Sequence, residues 1–194
     1  YRPLRRAVLR AQTERSAVFI KLLRADKLPE LMYRHELVAA AGLSADHLGS
    51  PAPGVLLLPQ APGKSLLDLF LAKAQLPEPA ALVDVLDRLP KAGLELKRKP
   101  AWSERLDFHS ATAATRIGFE KAEELKSRIE ETLQKAPVGP IVVTHGDFYE
   151  RNIIVDESQI SLIDLDSLGP GLREDDLDCA LGHLAVLPAL SMEH

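Results

Sequence analysis

The chain has 194 residues, of which 46% are hydrophobic and 27% charged, and its formal net charge is −4. This composition is typical of a globular protein, and the mild acidity argues against a nucleic-acid binder that relies on overall positive charge. The single Cys179 excludes an intrachain disulfide and a zinc site of several cysteines, which favours a cytoplasmic location, and no apolar run is long enough for a membrane span. We therefore expect neither nucleic acid nor a membrane as a partner.

The first sixty residues predict a small β-rich lobe with one helix. Two apolar or β-branched runs separated by the polar segment 12–15 are typical of a β-hairpin. The helical spacing that follows begins near Pro29, which suits a first turn, and ends near Gly42, which suits a C-terminal end. A short apolar run after the Pro- and Gly-rich segment 50–54 then predicts a buried strand that stops at Pro59. The predicted elements are strands at 4–11, 17–23 and 55–58 and a helix at 28–42.

The remaining residues predict a mostly helical lobe that follows a linker at 59–63. Ser65, with Asp68 three residues later, is typical of a helix N-cap. Apolar residues at helical spacing predict further helices, one of them broken or kinked at Pro90. The predicted helices lie at 80–96, 113–133 and 177–187, and the predicted strands at 141–143, 153–155 and 160–165.

The last two strands form a predicted hairpin that brings Asn152 and Asp164 together. With a three-residue loop, Asp156 faces Ile160 and, counting outward, Asn152 faces Asp164, whereas a two-residue turn shifts the pairing by one position. Paired residues have Cβ atoms about 4.5–5.5 Å apart, so an amide oxygen and a carboxylate could both reach one cation. The sequence therefore predicts half of a magnesium site, with Asn152 and Asp164 as ligands.

Asp147 lies five residues before Asn152, in the loop 145–152 that follows a predicted strand. A loop of this length lets one carboxylate face a substrate hydroxyl while the asparagine turns back to the metal. Phosphoryl transfer depends on positioning and charge neutralisation more than on covalent chemistry. We therefore predict that Asp147 orients the attacking hydroxyl and accepts its proton. For His145 we favour a structural role, in which it hydrogen-bonds backbone and holds the loop.

The pattern His-Gly-Asp-x-x-x-x-Asn at 145–152, followed by an Ile-Asp pair at 163–164, resembles the Brenner motif of the aminoglycoside phosphotransferase and choline kinase superfamily, relatives of protein kinases. The resemblance implies an α+β, two-lobed protein-kinase-like fold, with an N-terminal lobe at 1–60 and a C-terminal lobe at 61–194. It also implies a small-molecule kinase that uses ATP and Mg²⁺ and transfers the γ-phosphoryl group to a hydroxyl. Asp176, before a helix, resembles the family's Asp-Leu-Ala region and is expected to brace the catalytic loop.

The same resemblance assigns a phosphate-holding role to Lys21 and a pairing role to Glu36. Lys21 lies in a predicted strand that is apolar on both faces, where an unpaired ammonium group is costly. Glu36, a phosphate group or a path along the side chain to solvent could each relieve that cost. The resemblance favours the pair between Lys21 and Glu36.

The segment 55–63 resembles the family's strand and hinge, where backbone meets the adenine. The family's glycine-rich phosphate loop does not precede the strand at 4–11 in this chain and would lie upstream of Tyr1. Because the chain begins at Tyr1 without a methionine, we expect it to be part of a longer protein. The expected adenine contacts are Pro59, Gln60 and Ala61.

Several alternatives stay open at this point. Asp166 either reaches a second metal or is a solvated turn cap. A non-catalytic nucleotide-binding module with a regulatory role is the main alternative to an enzyme. Antibiotics, choline-like amines, sugars and other small alcohols are all phosphorylated by enzymes that this chain resembles, and the acidic second lobe favours a cationic or neutral acceptor. The sequence does not predict an oligomeric state.

Overall fold

The computed structural model describes residues 6–14 and 16–191, with side chains up to Leu187. In this part of the chain the strands are β1 (Arg6–Gln12), β2 (Ala17–Leu23), β3 (Gly49–Ala52), β4 (Val55–Pro59), β5 (Lys64–Ser65), β6 (Ile141–Thr144), β7 (Ile153–Asp156), β8 (Gln159–Leu162) and β9 (Gly169–Leu172). The α-helices are α1 (Leu28–Ala40), α2 (Leu66–Leu71), α3 (Pro79–Asp87), α4 (Leu106–Ile117), α5 (Phe119–Lys135) and α6 (Arg173–Ser191).

The N-terminal part is an antiparallel sheet in the order β1-β2-β4-β3, with α1 packed against it. Leu28 and Leu31 of α1 are buried on Leu56 of β4. Burial of a leucine side chain contributes about 1.5–3 kcal/mol relative to exposure, so these contacts fix the helix on the sheet. The predicted hairpin, helix and strand are therefore confirmed, although Leu4 lies outside the described residues.

One strand of this sheet was not predicted. The segment 50–54 looks like a breaker because of its Pro and Gly residues, but most of it belongs to β3, which pairs with β4. β3 is an edge strand of the sheet, and a proline is tolerated there because only one side of the strand needs its donors.

The C-terminal part combines helices with two small sheets, β5-β7-β8 and β6-β9. Its core places Phe148 and the strand residues Ile153 and Leu162 against Val85 and Leu86 of α3. Ser65 Oγ accepts a 3.1 Å hydrogen bond from the Asp68 N–H, which confirms the predicted cap of α2. The α+β fold class is thus confirmed, and the boundary between the lobes stays a prediction.

Two predicted helices are shorter than expected. The predicted helix at 113–133 is two helices, α4 and α5, because Gly118 adopts φ +86°, which a helix interior does not allow. The helix predicted at 80–96 ends at Asp87, ahead of Pro90, and a short 3-10 turn follows.

Among residues 6–14 and 16–191, no helix combines the length and the apolar character that a membrane crossing requires.

Candidate active site

The hairpin of β7 and β8 has a two-residue turn. Asp156 pairs with Gln159, and beyond the strands the Ile163 N–H donates to the Asn152 carbonyl at 3.0 Å. The pairing of Asn152 with Asp164 is therefore wrong by one position, because the chain reverses at residues 157–158 rather than over three residues. Asp164 follows in the left-handed region, at φ +57°. Asn152 and Asp164 nevertheless line the same cleft.

The side chain of Asp176 fixes the loop 145–152 through hydrogen bonds with its backbone. The carboxylate of Asp176 is buried and accepts the backbone N–H groups of His145 and Gly146, both at 2.8 Å. The buried His145 ring donates from Nε2 to the Ile163 carbonyl at 3.0 Å. Gly146 has φ +76°, and a Cβ there would lie 2.6 Å from the Ser167 carbonyl oxygen, so the turn requires glycine. These contacts agree with the structural roles expected for His145 and Asp176.

Asp147 is half-buried in this loop, next to the buried Phe148. Burial raises the pKa of its carboxyl group above the usual range, and the nearby charge of Asp164 raises it further. The Asn152 side-chain amide donates to the Asp147 carbonyl at 2.9 Å, which leaves the amide oxygen of Asn152 available to a ligand. The two residues are therefore held in one rigid turn.

Lys21 is buried, and its ammonium group lies 2.7 Å from the Asp164 carboxylate and 2.6 Å from that of Asp166. The predicted pair of Lys21 with Glu36 is wrong. Glu36 is exposed on α1, and its carboxylate lies 3.2 Å from Nε2 of His47. Successive residues of a helix point about 100° apart, so the packing of α1 turns the preceding residue, rather than Glu36, toward Lys21.

A cleft of about 610 Å³ extends from Lys21 to the strand end at residues 59–61, and it contains the predicted hinge. Its walls are apolar side chains of β2, β4, β7 and β8, and its inner end carries polar groups. The apolar lining residues include Phe19, Leu58, Ile154 and Leu162, and the expected adenine contacts Pro59, Gln60 and Ala61 also line the cleft. We call this space the first cleft.

A second cleft, of about 530 Å³, lies on the other side of Lys21. Asp147 and Asp166 line it, and Arg6 and Lys21 are shared with the first cleft. The two spaces therefore meet at a cluster of charged groups next to the loop that carries Asp147.

Residues 3–188 match the Phosphotransferase enzyme family, APH, over nearly the whole chain. The chain belongs to this family. A search of curated protein sequences gives no significant match.

Solved structures share the phosphotransferase fold. Choline kinase LicA from Streptococcus pneumoniae gives a TM-score of 0.59 at 17% identity, over 89% of this chain and 63% of that one. A thermostable mutant of aminoglycoside phosphotransferase APH(4)-Ia, in a ternary complex with ADP and hygromycin B, gives 0.59 at 16% identity, over 92% of this chain and 69% of that one. Amicoumacin kinase hAmiN, in complex with AMP-PNP, Ca²⁺ and Ami, gives 0.55 at 14% identity, over 96% and 64%.

The family match confirms the expected superfamily, and the solved structures agree with the two-lobed, kinase-like fold. At such identities the solved structures show the fold alone. The chain spans 62% of the length of a choline/ethanolamine kinase family protein from Mesorhizobium loti and 66% of macrolide 2′-phosphotransferase MphH from Brachybacterium faecium.

Three residues of this candidate site were missed or left open in the sequence analysis. Asp166 is not a solvated cap: although burial opposes its charge, the ion pairs with Lys21 and Arg6 hold its pKa below the usual range. Arg6 forms a close ion pair with Asp166 and lies 3.9 Å from Asp164. His35 is buried beside the first cleft, and burial together with Lys21 lowers its pKa to about 4. His35 shares the apolar stripe of α1, which is the signal that could have identified it.

The oxygen donors of the candidate site suit a hard cation. Asp164 offers a carboxylate and Asn152 an amide oxygen, both at the inner end of the first cleft. Among the described residues, no group of three or more His, Cys, Asp or Glu side chains is arranged to hold a metal. Magnesium usually takes one or two protein ligands and completes its shell with water and substrate phosphates, so this small donor set fits Mg²⁺.

Proposed function

We propose that this protein is a small-molecule kinase that transfers the γ-phosphoryl group of ATP to a hydroxyl of a small acceptor. The observation that carries the proposal is the position of Asp147, a residue that lines the second cleft together with the charged residues that both clefts share. Family membership supports phosphoryl transfer, and the single cysteine supports a cytoplasmic location.

ATP fits the first cleft by its chemistry. Phe19 and Leu58 are paired on neighbouring strands and form one apolar wall, and Ile154 and Leu162 belong to the opposite wall. The purine would lie between these two walls, and the backbone of residues 59–61 would supply hydrogen bonds to its edge. The triphosphate would extend toward Lys21 and Arg6. The complexes of APH(4)-Ia with ADP and of hAmiN with AMP-PNP support nucleotide binding by this fold. We assign no nucleotide contact to Glu36, because it does not line the cleft.

Asp164 and Asn152 would hold the metal, and Lys21 would contact the phosphates. Magnesium, when bound, supplies positive charge to the phosphate oxygens during transfer. Lys21 keeps Asp164 and Asp166 in fixed positions through its two ion pairs. Positioning of this kind is what the loose transition state of phosphoryl transfer requires.

Asp147 would act as the base. Its carboxylate accepts the hydroxyl proton while the acceptor oxygen bonds to the γ-phosphorus, and the bond from that phosphorus to the β,γ-bridging oxygen breaks to release ADP. Burial raises the pKa of Asp147, which makes its carboxylate a better proton acceptor than that of an ordinary aspartate.

Phosphorus-31 NMR of the protein with ATP, Mg²⁺ and a panel of alcohols tests this proposal. We expect ADP and a new phosphomonoester signal with at least one acceptor, and no new signal with Asp147→Asn. Binding of ATP and Mg²⁺ without any transfer would reject the kinase. It would instead favour the alternative, a non-catalytic nucleotide-binding module with a regulatory role. Absence of nucleotide binding would reject both.

A further inference from the structure

The second cleft carries a strong excess of positive charge, although the chain as a whole is acidic. Nine Lys and Arg side chains line it against three carboxylates, those of Glu30, Asp147 and Asp166. The formal net charge of the whole chain is −4. The acidic residues that suggested a cationic or neutral acceptor therefore do not determine the charge of this cleft.

Much of this positive charge is already balanced. Arg34 is paired with Glu30 at 2.5 Å, and Arg98 with Glu104 at 2.8 Å. Arg6 and Lys21 are each paired with Asp166. Arg24 and Lys27 each lie within 4.0 Å of Asp26. These six cations have carboxylate partners in the protein and do not require a ligand.

Three cations remain, and all lie in the segment 97–105. In the part of the chain that the structure describes, no carboxylate lies within 4.0 Å of the charged groups of Lys97, Lys99 or Arg105. The ammonium group of Lys99 donates to the Asp166 carbonyl, and Arg105 lies 4.6 Å from the ring centre of Trp102. Desolvation of its ammonium end and the nearby Arg34 lower the pKa of Lys99. The segment therefore presents positive charge that the protein itself does not neutralise.

These cations lie apart from the space that suits the nucleotide base. Lys97, Lys99 and Arg105 line the second cleft and do not line the first, whereas Arg6 and Lys21 line both. Nucleotide phosphates at the junction would be met by Arg6 and Lys21. The segment 97–105 is therefore available to a second anion in the cleft that contains Asp147.

We propose that the acceptor is an anionic alcohol, a small molecule that carries a phosphate or carboxylate group as well as the hydroxyl. Its hydroxyl would lie at Asp147, and its anionic group would contact Lys97, Lys99 and Arg105. This inference rests on the proposed function, because it names the substrate class of the same site.

A titration with the nucleotide site filled tests the inference. The protein is saturated with AMP-PNP and Mg²⁺ and then titrated by calorimetry with glycerol 3-phosphate, glycerate, glycerol and choline. We expect binding of one or both anionic alcohols and at least about tenfold weaker binding of glycerol and choline, a difference of about 1.4 kcal/mol or more. Preference for glycerol 3-phosphate over glycerate would identify phosphate, and the reverse would identify carboxylate.

Charge reversal supplies the matched control. Lys97→Glu is expected to weaken binding of the anionic alcohol at least about tenfold while the affinity for AMP-PNP stays within about twofold. Lys121→Glu makes the same charge change on α5, at an exposed lysine outside both clefts, and should change neither affinity.

The outcomes separate the two proposals. Equal or tighter binding of glycerol or choline, no binding of either anion, or equal effects of the two Lys→Glu variants would overturn the anionic acceptor and leave the kinase standing. Failure of AMP-PNP to bind would reject the kinase. In that case a titration without nucleotide still decides whether Lys97 binds the anion.

Discussion

The two clefts share Arg6 and Lys21 but differ in the chemistry of their remaining walls. The first is bounded by apolar side chains and the backbone of residues 59–61, and the second by cations of the segment 97–105. An apolar slot suits a flat base, and unpaired cations suit an anion. In the proposed function, the shared charged cluster would serve the reaction, and the remaining walls of each cleft would select its own ligand.

The largest expected effect is a loss of turnover on substitution of Asp147 in the second cleft, with nucleotide binding in the first cleft kept. Asp147→Asn removes the proposed proton acceptor and keeps the size of the side chain, so kcat should fall by about 10²–10⁴-fold. Affinity for AMP-PNP, measured by calorimetry, should stay within about threefold. A variant with full turnover would show that Asp147 is not the base.

His35 tests whether the first cleft stays uncharged on the α1 side. Its pKa is lowered from 6.5 to about 4, so between these values the unfolded chain binds a proton that the folded protein does not. Stability should therefore fall as pH falls through this window, by up to about 3 kcal/mol from this group. Urea unfolding of the wild type and of His35→Leu should show a smaller loss of stability in the variant. Equal losses would contradict the assignment.

Substitution of Asp164 tests whether the charged cluster where the clefts meet holds the metal. Asp164→Ala removes one of the two proposed metal ligands and one partner of Lys21, so the affinity for ATP in the presence of Mg²⁺ should fall by about 100-fold. The dependence of affinity on Mg²⁺ should largely disappear. Unchanged dependence in a calorimetric titration would place the metal elsewhere.

The smallest expected effect is that of Phe19→Ala on nucleotide binding. This variant tests the first cleft in the way that Lys97→Glu tests the second. Phe19→Ala shortens one apolar wall of the first cleft, which should weaken AMP-PNP binding about tenfold. Acceptor binding in the second cleft should not change. Equal weakening of both ligands would show that the two clefts are not independent.

Local patterns predicted most of this architecture. The hairpin of β1 and β2, helix α1, the cap at Ser65 and the loop with Asp147 all follow from alternation, helical spacing and turn chemistry. What failed depends on tertiary contacts. Strand β9 contains Gly169, Pro170 and Gly171 and forms only because β6 pairs with it.

The errors in the site have the same origin. The choice between Glu36 and His35 depends on the rotation of α1, which packing of its leucines on the sheet determines. The hairpin register depends on one residue of turn length. The basic run at 97–99 is visible in the sequence, but its position beside Asp147 arises from the fold and is not a property of neighbouring residues.

Transfer of a labelled phosphoryl group tests both the kinase activity and the anionic acceptor. ATP labelled at the γ-phosphorus is incubated with the protein, Mg²⁺ and a small-molecule extract that has been separated by charge into cationic, neutral and anionic fractions. We expect label to move into compounds of the anionic fraction, and we expect Asp147→Asn to prevent this transfer. Label that stays in ATP, appears only as inorganic phosphate, or enters the cationic or neutral fraction instead would contradict this expectation.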